Sequence, residues 1–361
     1  MQDLKKEFPI LSSCTYLNTA SSGVLSKSLL QWRRKHDEAL MQGGSIFRDT
    51  HRDHLARIKG TLSEFFNAPD NNLALIPNFS FGFNVLMEGL PKNQKVLLLN
   101  HDYPSVNWPV EQRGFEVVYA EIDEHLETSI ESAVAKHRPD VFAFSLVQYI
   151  NGLVMDMEFL RQLKDQYPDM LLVADGTQFL GARQFDFLKS PLDVLGASCY
   201  KWLLAGYGNG VFMIKEEMKG RFSPRTIGFN SAEAAYSKRD HVHFIKHFEP
   251  GHQDALTYGS LEQSILFLKG IGMDVIEKRN RELSQWVKPQ LESLGVLDSE
   301  IVNRKDCGTI YNIKGGVALF EALTKEKIIV SKRGKGIRLS FHFYNSKDDL
   351  GRLLEVLKRF V

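Results

Sequence analysis

The sequence predicts an α/β fold: a large domain built on a mostly parallel, seven-stranded sheet covered on both faces, followed by a small C-terminal α+β domain. Three observations carry that prediction. Short, wholly apolar runs alternate with stretches of helical periodicity. The apolar runs do not interleave polar residues, which is the pattern of parallel strands buried on both faces. The alternation stops after residues 211–214, where a long aperiodic stretch leads to a second, shorter set of elements.

Residues 52–66 open the pattern, with Leu55, Ile58, Leu62, Phe65 and Phe66 at helical spacing. Strand candidates follow at 73–76, 96–99, 115–120, 141–147, 171–174, 193–198 and 211–214. Among the intervening helix-like stretches is 158–167, where Phe159, Leu160 and Leu163 share a face. Residues 222–252 are rich in Arg, His and aromatic side chains and have no period. Two helices are expected near 260–271 and 274–294, then short strands, then a terminal helix over 347–360 with Leu350, Leu353, Leu354 and Leu357 on one side. The expected division is a large domain over 1–250 and a small one over 251–361, with residues 1–25 able to pack on either.

Of the 361 residues, 43% are hydrophobic and 25% charged, enough apolar material for a sizeable core. Lys plus Arg number 45 against 44 Asp plus Glu, a net charge of +1 that argues against a nucleic-acid or anionic-membrane surface. No apolar run approaches the ~18 residues of a membrane helix. The first nine residues lack the apolar stretch of a secretory leader. Cys14, Cys199 and Cys307 are scattered with no CxxC pair, which suits reduced thiols in a cytoplasmic protein. His241 and His243 fall on one side of an extended segment, but no carboxylate or thiol set completes a metal site. Residues 33–36 read as a solvated helix face.

Two strand ends carry chemistry. Val173-Ala174-Asp175-Gly176-Thr177-Gln178 closes an apolar strand with a carboxylate, at the end where open α/β sheets bind ligands. A simple loop or helix cap explains most such Asp residues. Downstream, Lys201 follows a second apolar strand and is flanked by Trp202, Leu203 and Leu204. A desolvated lysine has a lowered pKa and forms Schiff bases, although a lone lysine is ordinarily a solvated one.

Together, Asp175-Gly176-Thr177-Gln178, Ser198-Cys199-Tyr200-Lys201-Trp202 and Gly206-Tyr207-Gly208-Asn209-Gly210 resemble the signature of the class V aminotransferases. That family includes cysteine desulfurases, isopenicillin N epimerase-like enzymes and kynureninase. The resemblance implies fold type I and a pyridoxal 5′-phosphate (PLP) enzyme that acts on a small amino compound. It makes Lys201 the residue that holds the cofactor as a Schiff base and moves protons. Asp175 would pair with the pyridine nitrogen, keeping the ring an electron sink. Gln178 would bond the phenolic oxygen, and Ser198 and Tyr200 the phosphate.

The resemblance runs nearly end to end. Thr15–Gly23 is similar to the family's N-terminal substrate-site segment, which makes Asn18 a substrate-binding candidate. Pro77-Asn78-Phe79-Ser80 opens a helix where the family holds the phosphate. A helix N-terminus suits an anion there, so the Phe79 backbone and the Ser80 hydroxyl are candidates. Tyr103 stands where the family stacks an aromatic ring on the cofactor. Tyr149 stands where many members have Asn. His252, in Phe248-Glu249-Pro250-Gly251-His252, takes the place of a Thr that reaches the other subunit's cofactor phosphate, and a homodimer is implied. In Arg338-Leu339-Ser340-Phe341-His342-Phe343-Tyr344-Asn345, Arg338 matches the arginine that grips a substrate carboxylate, and His342 reads as structural.

Transamination is the favoured reaction, because the lysine, the carboxylate clamp and the ring-nitrogen partner all have candidates. Elimination or epimerisation stays open on the same machinery. A cysteine desulfurase-like reaction is a weaker alternative: it needs a reactive thiol shortly before Arg338, residues 310–345 contain none, and Cys307 lies farther upstream. A non-catalytic binding relative has no need of a Schiff-base lysine. A dinucleotide enzyme lacks its glycine fingerprint.

Overall fold

The structure is a computed structural model and describes residues 2–233, 235–304, 306 and 308–360. Its strands are β1 (Thr15–Tyr16), β2 (Leu73–Ile76), β3 (Lys95–Leu99), β4 (Glu116–Ala120), β5 (Val141–Ser145), β6 (Leu171–Asp175), β7 (Val194–Ser198), β8 (Gly210–Ile214), β9 (Ile310–Ile313), β10 (Ile328–Ile329), β11 (Ser331–Arg333) and β12 (Gly336–Ser340). Seven of them form the central sheet, in the order β2-β8-β7-β6-β5-β3-β4. Only β8 runs against its neighbours; the other pairings are parallel.

Successive residues of a strand point to opposite faces. Leu97, Leu99, Phe142, Phe144, Leu172, Ala174 and Leu195 feed one core, while Val96, Leu98, Val141, Ala143, Leu171, Val173 and Val194 feed another. Both faces are therefore buried, which is why these strands read as continuous apolar runs. The chain leaves β3 for the edge strand β4 and returns to β5 on the other side of β3. That reversal opens a crevice between the loops that follow β3 and β5, the place where such sheets bind ligands.

Side-chain caps set several helix starts. Asp254 Oδ1 accepts from the N–H groups of Leu256 (2.8 Å) and Thr257 (3.2 Å), so the helix Ala255–Ile271 begins five residues before the expected start. Its Leu261, Ile265 and Leu268 lie in the large core with Ile58 and Leu62 of the helix His51–Phe66. In the helix Met273–Ser293, Ile276 joins that core, whereas Leu283, Val287 and Leu291 join a separate C-terminal core with Tyr311, Leu339, Leu350 and Leu357. The change from one core to the other thus falls inside this helix. The C-terminal sheet has the order β11-β12-β9, and β1 pairs in parallel with β10 in a separate two-stranded sheet. The terminal helix ends at Leu357. Residues 33–36 are not a uniformly solvated face: His36 is buried, and Arg33 donates to Ser260 Oγ (2.8 Å) and the Ala205 carbonyl (3.2 Å). Among the described residues no helix is long and apolar enough to cross a membrane.

Candidate active site

The site forms at the carboxyl ends of β3, β5, β6 and β7. Lys201 follows β7 in a turn and is only 6% exposed. The N-terminal segment lies directly on this turn: Gly23 N–H donates to the Tyr200 carbonyl (2.9 Å). A Cβ on Gly23 would stand 2.1 Å from the Lys201 carbonyl oxygen, so glycine is required for the approach. Burial pulls the Lys201 ammonium down to about 8, opposed by the Asp175 charge and reinforced by Arg338 and Arg333.

Asp175 ends β6. Burial pushes its carboxyl up to about 6, against the stabilising hydrogen bonds from Thr177 and the charge of Lys201. Its Oδ1 accepts from the Thr177 N–H at 2.8 Å. Lys201 and Asp175 feel each other electrostatically but stand too far apart for an ion pair. Two buried, opposite charges held apart in this way leave room for a polar group between them.

Aromatic rings line the crevice. Lys201 Nζ lies 5.6 Å from the ring centroids of both Tyr103 and Tyr200. Tyr103 meets Tyr149 edge to face at 5.1 Å, which joins the loops after β3 and β5. Tyr200 stacks on Tyr207 at 4.6 Å. Asp102, which the sequence did not single out, is buried next to Tyr103. Its Oδ1 accepts from the Tyr103 N–H (2.6 Å) and its Oδ2 from the Ser145 N–H (2.8 Å). Burial raises its pKa, and its charge adds to the raising of Asp175. Its place just past a strand end was the available signal.

At the far wall, Arg338 Nη1 donates to the Tyr149 carbonyl and Nη2 to Ser21 Oγ, both at 2.7 Å. Its Nε and the Oδ1 of Asn18 are buried polar atoms without a hydrogen-bond partner. Such atoms are costly unless a ligand completes them. Burial, with Arg333 nearby, lowers the Arg338 guanidinium to about 10.

Gln178 is already engaged. Its Nε2 donates to the Ala20 carbonyl (3.1 Å) and its Oε1 accepts from Trp202 Nε1 (2.7 Å). His342 braces the same turn from behind, with Nε2 3.0 Å from the Trp202 carbonyl. At the opposite end, Ser198 Oγ accepts from the Phe79 N–H at 2.9 Å and keeps its own proton to donate. The Phe79 side chain is core, stacked on Phe83. The Ser80 hydroxyl donates to Ser105 Oγ at 2.7 Å, so it must turn to serve an anion. His252 is exposed, stacked on Phe229 at 4.8 Å, and is not brought to Lys201 within one chain. Cys199 is fully buried with its thiol pushed up by burial, and Cys14 is raised for the same reason. Cys307 lies outside the described residues.

The sequence profile of the family Aminotransferase class-V matches residues 45–353. The chain belongs to that family and is a PLP-dependent enzyme that acts on an amino acid. A probable cysteine desulfurase of Pyrococcus abyssi is 23% identical over 406 residues, covering 100% of this chain and 97% of that protein. The isopenicillin N epimerase of Amycolatopsis lactamdurans is also 23% identical, covering 82% of each. Among solved structures, the apo cysteine desulfurase of Thermococcus onnurineus superposes with a TM-score of 0.88 at 18% identity, covering 100% of this chain and 98% of that one. The cystine C-S lyase C-DES superposes at 0.85, also with 18% identity, over 97% and 98%. These likenesses establish the fold.

The residues present fit a PLP cofactor. A lysine with a lowered pKa faces a separated carboxylate, tyrosine rings flank the space, and a free hydroxyl lies beside a helix N-terminus. Arg338 Nε and Asn18 Oδ1 are left as buried polar atoms without a hydrogen-bond partner.

Proposed function

We propose that this enzyme transfers the amino group of a small amino acid, with Lys201 as the cofactor-bearing and proton-moving residue. The observation that carries the proposal is the buried lysine with a pKa near 8, set across from Asp175 but not paired with it. A lysine tuned toward neutrality is both nucleophile and base. When bound, PLP supplies a conjugated ring that takes up the electron pair left when Cα loses its proton. Lys201 Nζ takes that proton from Cα. Asp175 supplies the carboxylate for the ring nitrogen. Ser198 Oγ donates to the phosphate beside the N-terminus of the helix Phe79–Gly89. Tyr103 would cover a face of the ring, with Tyr200 and Gln178 beside it. Arg338 and Asn18 fix the substrate's carboxylate and orient Cα toward Lys201.

Desulfuration is the weaker reading: of the described thiols, Cys14 and Cys199 are both raised by burial, and a nucleophilic cysteine needs a lowered pKa. The protein is further proposed to be a cytoplasmic homodimer in which His252 reaches the partner's cofactor phosphate.

The test begins with the absorption spectrum of the purified protein, wild type beside Lys201→Ala, before and after borohydride reduction. The wild type is expected to be yellow and, on reduction, to carry the cofactor covalently at Lys201. The variant is expected to lose that attachment and about 10²–10⁴-fold in rate. An amino-acid panel read for keto-acid formation against sulfide release separates transamination from desulfuration. A wild type that stays colourless with added PLP ends the proposal.

A further inference from the structure

Arg338 stands on β12, and the residue directly opposite it on β11 is Ser331. Directly opposite residues of an antiparallel pair share a face, as do residues two apart along a strand. Arg333 therefore lies on the face of Arg338, two pairs nearer the turn, opposite Gly336, which has no side chain to cover it. This is the face turned to the site. Arg338 reaches Tyr149 and Ser21 from it, and Ser21 Oγ donates to Ser331 Oγ at 3.4 Å. Lys332, between the two, faces the other way and lies over the Phe320 ring, 4.7 Å from its centroid.

Arg333 is exposed, and among the described residues its guanidinium meets no carboxylate; its hydrogen bond goes to the Lys332 carbonyl at 2.9 Å. Arg338 has no acidic partner either. The acids of the site, Asp102 and Asp175, are buried at the strand ends and bonded to backbone N–H groups. The substrate end thus holds two like charges on one face with no countercharge. The Arg333 charge is felt at Lys201, Tyr103 and Arg338. One carboxylate answers one guanidinium, which leaves the exposed Arg333 open to a second anion.

We infer that the preferred substrate is an amino acid with an acidic side chain, Arg338 taking its α-carboxylate and Arg333 selecting for its second anionic group. The inference rests on the proposed role of Arg338 in an amino-acid site. The shared chemistry is the second anion, whether carboxylate, sulfonate or phosphonate.

The test is calorimetric titration of the yellow holoenzyme with unreactive analogues that lack the amino group: propionate, succinate, 3-sulfopropionate and 3-phosphonopropionate. At least one dianion is expected to bind about tenfold tighter than propionate, and the best of the three names the terminal group. Arg333→Ala is expected to close that gap while leaving propionate within about twofold, and Arg333→Lys to keep part of it. Lys332→Ala removes the same charge from the opposite face and is expected to keep the gap. Equal affinities in the wild type, or no binding by any analogue, would overturn the inference. So would an Arg333→Ala variant that weakens propionate as much as succinate, or a Lys332→Ala variant that erases the gap. A yellow holoenzyme with no dianion preference overturns this inference alone; a protein that takes up no PLP removes the enzymatic reading beneath it.

Discussion

His342 shows how a residue remote from the chemistry can hold it in place. It is fully buried, and its Nε2–H donates to the carbonyl of Trp202, the residue after Lys201; Asn280 Nδ2 faces its Nδ1 at 3.3 Å. That network fixes the neutral tautomer with the proton on Nε2. Burial drops its pKa from 6.5 to about 3. The unfolded chain therefore takes up a proton near pH 6.5 while the folded protein refuses it until about pH 3. The unfolded state binds more protons in that window, so stability is full above pH 6.5 and is lost as pH falls. The expected loss at this residue is about 2 kcal/mol by pH 5. Denaturant titrations at pH 7 and pH 5 check it: His342→Gln should flatten the slope between them, and an unchanged slope would remove the argument. The sequence made Lys201 and Asp175 visible because both sit just at or past the end of an apolar strand. It could not reveal the bond of Asp102 to Ser145, 43 residues away, or the commitment of Gln178 to Ala20 and Trp202, because those bonds exist only once distant segments meet.

At the scale of elements, the strands were legible to within a residue or two because burial on both faces writes an unbroken apolar run. Helix ends were less so, since periodicity marks a face and not a boundary. The helix Ala255–Ile271 starts where Asp254 caps it, a signal in one side chain. The N-terminal segment has no periodicity, yet it is stitched to both parts of the molecule. Ser340 N–H donates to the Leu17 carbonyl (2.8 Å), Ala20 N–H to Ser340 Oγ (2.8 Å), and Gln178 Nε2 to the Ala20 carbonyl (3.1 Å). Its closest approach is Gly23 on the Lys201 turn. Gly23→Ala should force the segment off, because the obstructing atom is backbone oxygen and cannot rotate away. The expected result is a folded protein with about tenfold or greater loss of PLP affinity, since misplacing a positioned group by about 1 Å costs 10²-fold in rate. Far-ultraviolet circular dichroism beside a PLP titration reads it; wild-type affinity would mean that the turn tolerates the displacement.

At the scale of the molecule, one surface does not look finished. Met41 (78% exposed), Ile46 (76%) and Tyr236 (87%) stand in solvent, as do Phe229 and Tyr207. They belong to connected parts of the chain. Arg52 pairs with Glu233 at 3.0 Å, Phe229 stacks on His252, and Tyr207 stacks on Tyr200 beside Lys201. Large exposed apolar side chains are candidates for an interaction surface, and Tyr207, stacked on Tyr200, stands beside the active site. Residues 222–252 gave no periodicity for the same reason: they form turns and short 3-10 segments rather than an element that buries one face within the chain. A second copy covering this face would explain both the exposed rings and the position of His252, outside its own site and free to enter a neighbour's. Sedimentation equilibrium is then expected to give about twice the 41.1 kDa chain mass. Met41→Glu with Ile46→Glu should yield monomers that bind PLP weakly. His252→Ala should stay dimeric and lose only the one phosphate contact, about tenfold in PLP affinity. A monomeric variant that binds PLP as tightly as the wild type would show that each chain completes its own site, and His252 would then have no part in it.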